Sequence, residues 1–170
     1  NGGSLDNVRP GLNFFDNLNQ AGNLLPIISN DDLVANGQTP IRITWDYIAL
    51  SAVNSFADNL KASVVIPKSG LYANPFVLAI SAYAPHPNAA KLWIEFLYSD
   101  EGQLIWMKGN CHTIREEDLR DRGVIPADLE AKMPDISGFI FPTIDQYNAA
   151  KNFVAANWDS IVGVDINSAP

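Results

Sequence analysis

The chain has 170 residues, 47% hydrophobic and 18% charged, a balance that builds a core and excludes a disordered polymer. Its 19 acidic residues outnumber 11 lysines and arginines for a net charge of −8, which excludes a basic face for nucleic acid. The single cysteine, Cys111, excludes an internal disulfide and a thiolate metal cluster, and no apolar run reaches the ~18–20 residues of a membrane span.

In chain order, Pro10 suits a first helical position, and Leu12, Phe15 and Leu18 recur at helical spacing. A helix is therefore predicted over 10–22, with Gly22 as its stop. Ser29 is the expected N-cap of a short helix through Asp31, Asp32, Leu33 and Val34, closed by Gly37. Ile41, Ile43 and Trp45 then alternate with Arg42, Thr44 and Asp46, which is the period of a strand. The apolar, Ala/Ser-rich stretch 48–56 begins a helix. The continuous apolar run 62–66 predicts a buried strand that Pro67 stops, with Lys68-Ser69-Gly70 as a turn, and 76–81 predicts another strand.

The strongest helix pattern follows the rigid Pro85-His86-Pro87-Asn88, with Ala89, Leu92, Trp93, Phe96 and Leu97 on one face. Ser99 caps a second helix whose first turn holds Asp100 and Glu101, the sign a helix N-terminus favours; it runs on to Gly109. Residues 115–122 read as a solvated helix or loop, 126–133 as a short helix, and 145–161 as a last amphipathic helix. Mixed and alternating patterns of this kind predict an α/β class with a layered sheet, here with about three or four strands against a usual ~5–6.

From Pro85 to Gln103 the sequence reads Pro-His-Pro-Asn-Ala-Ala-Lys-Leu-Trp-Ile-Glu-Phe-Leu-Tyr-Ser-Asp-Glu-Gly-Gln. This resembles a segment of the solute-binding proteins of ABC importers, in which one helix opens on Asn-Ala-Ala-Lys and the next on Ser-x-Glu-Gly-Gln. Upstream, Asn36-Gly37-Gln38-Thr39-Pro40-Ile41-Arg42-Ile43 and Val64-Val65-Ile66-Pro67-Lys68-Ser69-Gly70 are similar to that family's strand entry and its strand and turn. Residues 76–81 are similar to its crossover strand, so the resemblance covers about Pro10 to Ile161.

The resemblance implies a periplasmic-binding-protein-like (type II) fold, close to polyamine-, iron- and maltose-binding proteins, with ligand held between two lobes. It implies that 1–74 belongs to the second lobe, 75–111 crosses into the first, and 112–170 returns to the second. The founding section of the first lobe is then expected outside this chain. The implied partners are a small solute and the membrane permease of an ABC importer, in the periplasm or outside the cell, with a lipid anchor as one option. It implies no catalysis, cofactor, metal or nucleic acid.

A solute site needs a few placed polar groups beside apolar surface. Trp45-Asp46-Tyr47, expected at a strand's end, offers a ring to stack, a carboxylate to accept or pair, and a phenol to donate. Tyr72 and Asn74, next to the crossover, form a second candidate set, and Phe141 with Tyr147 a third. Sugar, amine and other polar solutes stay open. Polyamine-binding relatives carry an acid shortly before the crossover Leu-Ala-Ile, where this chain has Asn74, Pro75, Phe76 and Val77. The paired tyrosines of iron-binding relatives are reduced here to Tyr47.

Two readings of other classes stand beside this one. Cys111-His112 would serve a cysteine-dependent enzyme, although adjacent residues in extended chain point apart. The other is a structural or interaction module without a small ligand.

Overall fold

The computed structural model describes residues 2–56, 60–67 and 70–168. Lys68 and Ser69 of the predicted turn lie outside the described residues. The chain divides into two compact units. One comprises Asn1–Ile43, Tyr72–Asn74 and Phe139–Pro170; the other comprises Thr44–Leu71 and Pro75–Gly138.

The first unit holds helices α1 (Arg9–Gln20), α2 (Asp31–Ala35) and α8 (Ile144–Ile161) with strands β1 (Ile27–Ile28) and β2 (Asn167–Ser168). Pro10 lies in the first turn of α1, where its missing N–H costs nothing, and Gly22 at φ +70° ends the helix as predicted. Thr143 and Gln146 start α8 with a reciprocal capping box. The two long helices meet through Phe15 and Trp158, whose ring centroids are 5.8 Å apart. Arg9 lies 5.2 Å over the ring of Phe153, and Asn19 donates to the Val162 carbonyl at 3.1 Å. The cap of α2 is Asn30 rather than Ser29. Its carboxamide oxygen accepts from the Leu33 N–H at 2.9 Å, while the Ser29 hydroxyl is 2.6 Å from that of Thr39.

The second unit contains α3 (Asp46–Ser55), α4 (Pro87–Tyr98), α5 (Asp100–Lys108), α6 (Glu116–Asp121) and α7 (Ala127–Glu130). Met107 and Leu119 are fully buried and, with Ile125 and Leu129, make its core. The helix α6 is therefore not the wholly solvated segment its charge suggested, since Leu119 and even Glu116 face inward.

The corner between α4 and α5 is built from the Ser-x-Glu-Gly-Gln segment. Ser99 accepts from the Gly102 N–H at 3.2 Å, and Gly102 packs directly against the backbone of Phe96 and Leu97. Buried Gln103 donates to the Leu97 carbonyl at 2.8 Å and accepts from the Arg115 N–H at 3.2 Å. Arg122 adds an ion pair to Asp100 at 2.7 Å.

The predicted strands are the main correction. No strand forms at 41–47, 62–66 or 76–81, and regular pairing among the described residues is confined to the parallel β1–β2 contact, two residues on each side. Alternation and apolar runs specify which way side chains face, but a strand exists only where a neighbouring backbone takes its N–H and C=O groups. These segments have no such neighbour, and Ile41 and Val77 are 87% and 84% exposed. The layered sheet of the α/β expectation is thus not formed among the described residues. In α4 the predicted inner face is only partly covered: Leu97 is buried, whereas Leu92 and Trp93 are exposed.

Candidate functional site

In the second unit, the expected end of a strand is the start of a helix. Trp45 is the N-cap of α3 with extended backbone, and Asp46 is the first helical residue, where the helix macrodipole favours its negative charge. The Asp46 carboxylate accepts from the Tyr47 N–H at 2.8 Å. Phe76 joins this turn from the irregular segment that follows Pro75. Its ring lies edge-on to Trp45 at 6.0 Å and to Tyr47 at 6.3 Å between centroids. Trp45 and Phe76 are both exposed, so the ring cluster at the start of α3 lies on an accessible surface.

Behind the carboxylate is a chain of charges. The Nε2 atom of His112 is 3.8 Å from Asp46 Oδ2, and its Nδ1 is 2.7 Å from Glu116 Oε2. Arg120 reaches Glu116 Oε1 at 2.7 Å and Glu130 at 2.8 Å. Burial pushes the Glu116 carboxyl up, but hydrogen bonds and charge from His112 and Arg120 outweigh it and hold the group below the ordinary glutamate value. Burial, and then the negative Asp46, push the Cys111 thiol up. That is the reverse of the activation a nucleophilic cysteine requires.

Trp45, Asp46 and Tyr47 are therefore brought together, and they gain Phe76 and His112. Tyr72 and Asn74 belong to the other compact unit. There Tyr72 forms a parallel bridge with Ile140, the Ala73 N–H donates to the Ile140 carbonyl at 3.1 Å, and Asn74 is exposed. Phe141 and Tyr147 of that unit are exposed as well. The sequence pattern places Phe76 in a strand and offers His112 only as a partner for Cys111. For His112 a local signal existed, since His112, Glu116 and Arg120 recur at four-residue spacing. For Phe76 none did.

A concave region of about 330 Å³ in the second unit is lined by Asn54, Lys108, Asn110 and Lys132 among others. No group of three or more His, Cys, Asp or Glu side chains among the described residues is arranged to hold a metal ion. No described helix is long and apolar enough to cross a membrane.

The sequence profile of the bacterial extracellular solute-binding proteins matches residues 5–121, more than half of the chain. The chain belongs to that family. Comparison with curated proteins and with solved structures returned no match. Membership implies a periplasmic-binding-protein-like fold and a part in ligand binding for ABC transport, in the periplasm or outside the cell. The matched span contains Trp45, Asp46, Tyr47, Tyr72, Asn74, Phe76, His112 and Glu116 of this solute-binding protein.

Proposed function

We propose that this solute-binding protein captures a small polar solute at the Trp45-Asp46-Tyr47 surface and hands it unchanged to the permease of an ABC importer. The observation that carries the reading is the cluster of Trp45, Tyr47 and Phe76 rings at the helix start that Asp46 opens. An aromatic face desolvates a solute without demanding a polar partner for itself, and a single carboxylate orients it. Tyr72 and Asn74 are proposed as a second set of solute contacts, and a lipid anchor as a means of retention at the cell surface.

Native mass spectrometry of the protein purified without refolding is expected to show a retained solute. That solute, added back at about 100 times its Kd, stabilises the fold by ~2.7 kcal/mol. Trp45→Ala and Asp46→Asn are expected to weaken its binding about tenfold or more while unfolding like the wild type. Wild-type affinity in both variants would remove the surface from consideration.

A further inference from the structure

The concave region of the second unit is built by three separate stretches of chain. Asn54 comes from the last turn of α3, Lys108 and Asn110 from the end of α5, and Lys132 from just beyond α7. Asn54 follows Asp46 at about 12 Å along the axis of α3, so the hollow is apart from the Trp45-Asp46-Tyr47 surface.

Its charge runs against that of the chain, which carries 19 acids to 11 lysines and arginines. In the same unit Arg115, Arg120 and Arg122 each reach a carboxylate within 3.0 Å. Lys108 and Lys132 line one hollow, and neither makes an ion pair among the described residues. Asp128 also lines it without pairing to either lysine. Two ammonium groups against one carboxylate leave the hollow net positive. The macrodipole of α5 accounts for a lysine in its last turn, at Lys108. It does not account for Lys132, which lies past the cap of the four-residue α7.

The neutral lining is polar on one part and apolar on another. Asn110 holds the left-handed position after α5 at φ +64°, where glycine is the least strained residue. Asparagine keeps a side chain there, and that side chain lines the hollow and donates to the Ser51 hydroxyl at 3.0 Å. One amide hydrogen is thereby used; the other and the carboxamide oxygen have no partner among the described residues. Pro126 and the buried Leu129 add apolar surface. A volume of about 330 Å³ is at the lower end for small-molecule sites and exceeds what an inorganic ion fills.

We propose that this hollow is a separate binding site for a small organic oxyanion carrying at least two negative charges. Lys108 and Lys132 supply the counter-charge, Asn54 and Asn110 exchange hydrogen bonds with its oxygens, and Leu129 meets its carbon frame. An ammonium group is a point charge without the planar fork of a guanidinium, so the pair takes a carboxylate or a phosphate alike. Asp128 opposes the anion and limits its affinity. The site does not depend on the solute surface at Asp46.

Citrate and glycerol phosphate are the probes, each titrated at constant ionic strength and followed by proton–nitrogen NMR. The side-chain amides of Asn54 and Asn110 and the backbone amide of Lys132 are expected to shift together and saturate, with the Tyr47 amide unmoved. The tighter probe identifies the oxyanion as carboxylate or phosphate. Lys108→Gln and Lys132→Gln are each expected to weaken binding about tenfold, the loss of one charge-assisted hydrogen bond. Asp128→Asn is expected to tighten it about threefold by removing the like charge. Lys151→Gln, on α8 of the other unit, controls for loose attraction to any surface lysine and should leave binding unchanged. No saturable shift with either probe overturns the site, as does wild-type affinity in both lysine variants. Where a lysine variant does not fold, wild-type shifts spread over Lys91 and Lys151 rather than gathered at Asn54 and Asn110 overturn it.

Discussion

Replacing Gly102 by alanine tests whether the family's Glu-Gly-Gln segment is a packing device. Gly102 is buried at the corner where α5 leaves α4. A Cβ built on it meets the Phe96 carbonyl oxygen and comes within 2.8 Å of Leu97 Cα and 2.9 Å of Leu97 C. All three obstacles are backbone atoms, so no side-chain rotation relieves them and the helices must separate. In an unobstructed helix, Gly→Ala stabilises by about 1 kcal/mol through propensity. Overpacking a tight site costs about 1–3 kcal/mol, and a backbone obstacle puts Gly102 at the upper end. The net expectation is a loss of about 2 kcal/mol. Gly11 in α1 supplies the control, because a Cβ there meets nothing within 4 Å. The same substitution at Gly11 should stabilise by about 0.5–1 kcal/mol. Urea unfolding followed by far-UV circular dichroism reads both signs. If Gly102→Ala is as stable as the wild type or more so, the close approach of α4 and α5 is wrong.

Gln103→Ala leaves the Leu97 carbonyl and the Arg115 N–H without their partner and should cost about 1–3 kcal/mol in the same assay. Leu119→Ala empties a position that is 0% exposed in the Met107–Ile125–Leu129 core. It should lower stability by about 2–5 kcal/mol, read as a fall in melting temperature. The Glu116 carboxyl is held below its ordinary value of 4.5 in the folded chain. Its contribution is therefore fully present above that value and is lost as pH falls through the lower folded value. Glu116→Gln should accordingly destabilise at neutral pH and flatten the acid limb of the stability–pH curve, with the two proteins converging once pH falls below the folded value of Glu116. An acid limb equally steep in both would assign the acid sensitivity to other carboxylates.

How far the sequence could be read depended on how local each signal was. Ser99 with Asp100 and Glu101 located the start of α5, and Pro10 and Gly22 bracketed α1, because caps, prolines and left-handed glycines act within a few residues. The apolar runs at 62–66 and 76–81 have the pattern of strands, but pairing is a property of two segments, and one sequence stretch specifies only half of it. The charge run on α6 misled for a related reason. Glu116 is buried because His112 and Arg120, each four residues away, supply its partners, and a side-chain charge count does not register that compensation. At the candidate site, Trp45, Asp46 and Tyr47 were legible together because they are contiguous. Phe76 and His112 reach them across the fold, and residue type alone could not announce it.

The corner segment that made the family recognisable looks remote from solute chemistry, yet it is connected to it. Gln103 holds the Arg115 N–H, and Arg115 begins the turn into α6 that carries Glu116. Glu116 in turn fixes the Nδ1 side of His112, whose opposite nitrogen faces the environment of Asp46. The left-handed Asn110 at φ +64° ends α5 and donates to Ser51 of α3, so the chain leading into Cys111 and His112 is tied to the same helix that presents Asp46. A rigid α4–α5 corner thus holds the imidazole at a set distance from the carboxylate. Loosening the corner through Gly102 or Gln103 should therefore displace the His112 ring from Asp46 before it disturbs the three rings, which are held by their own contacts around Phe76.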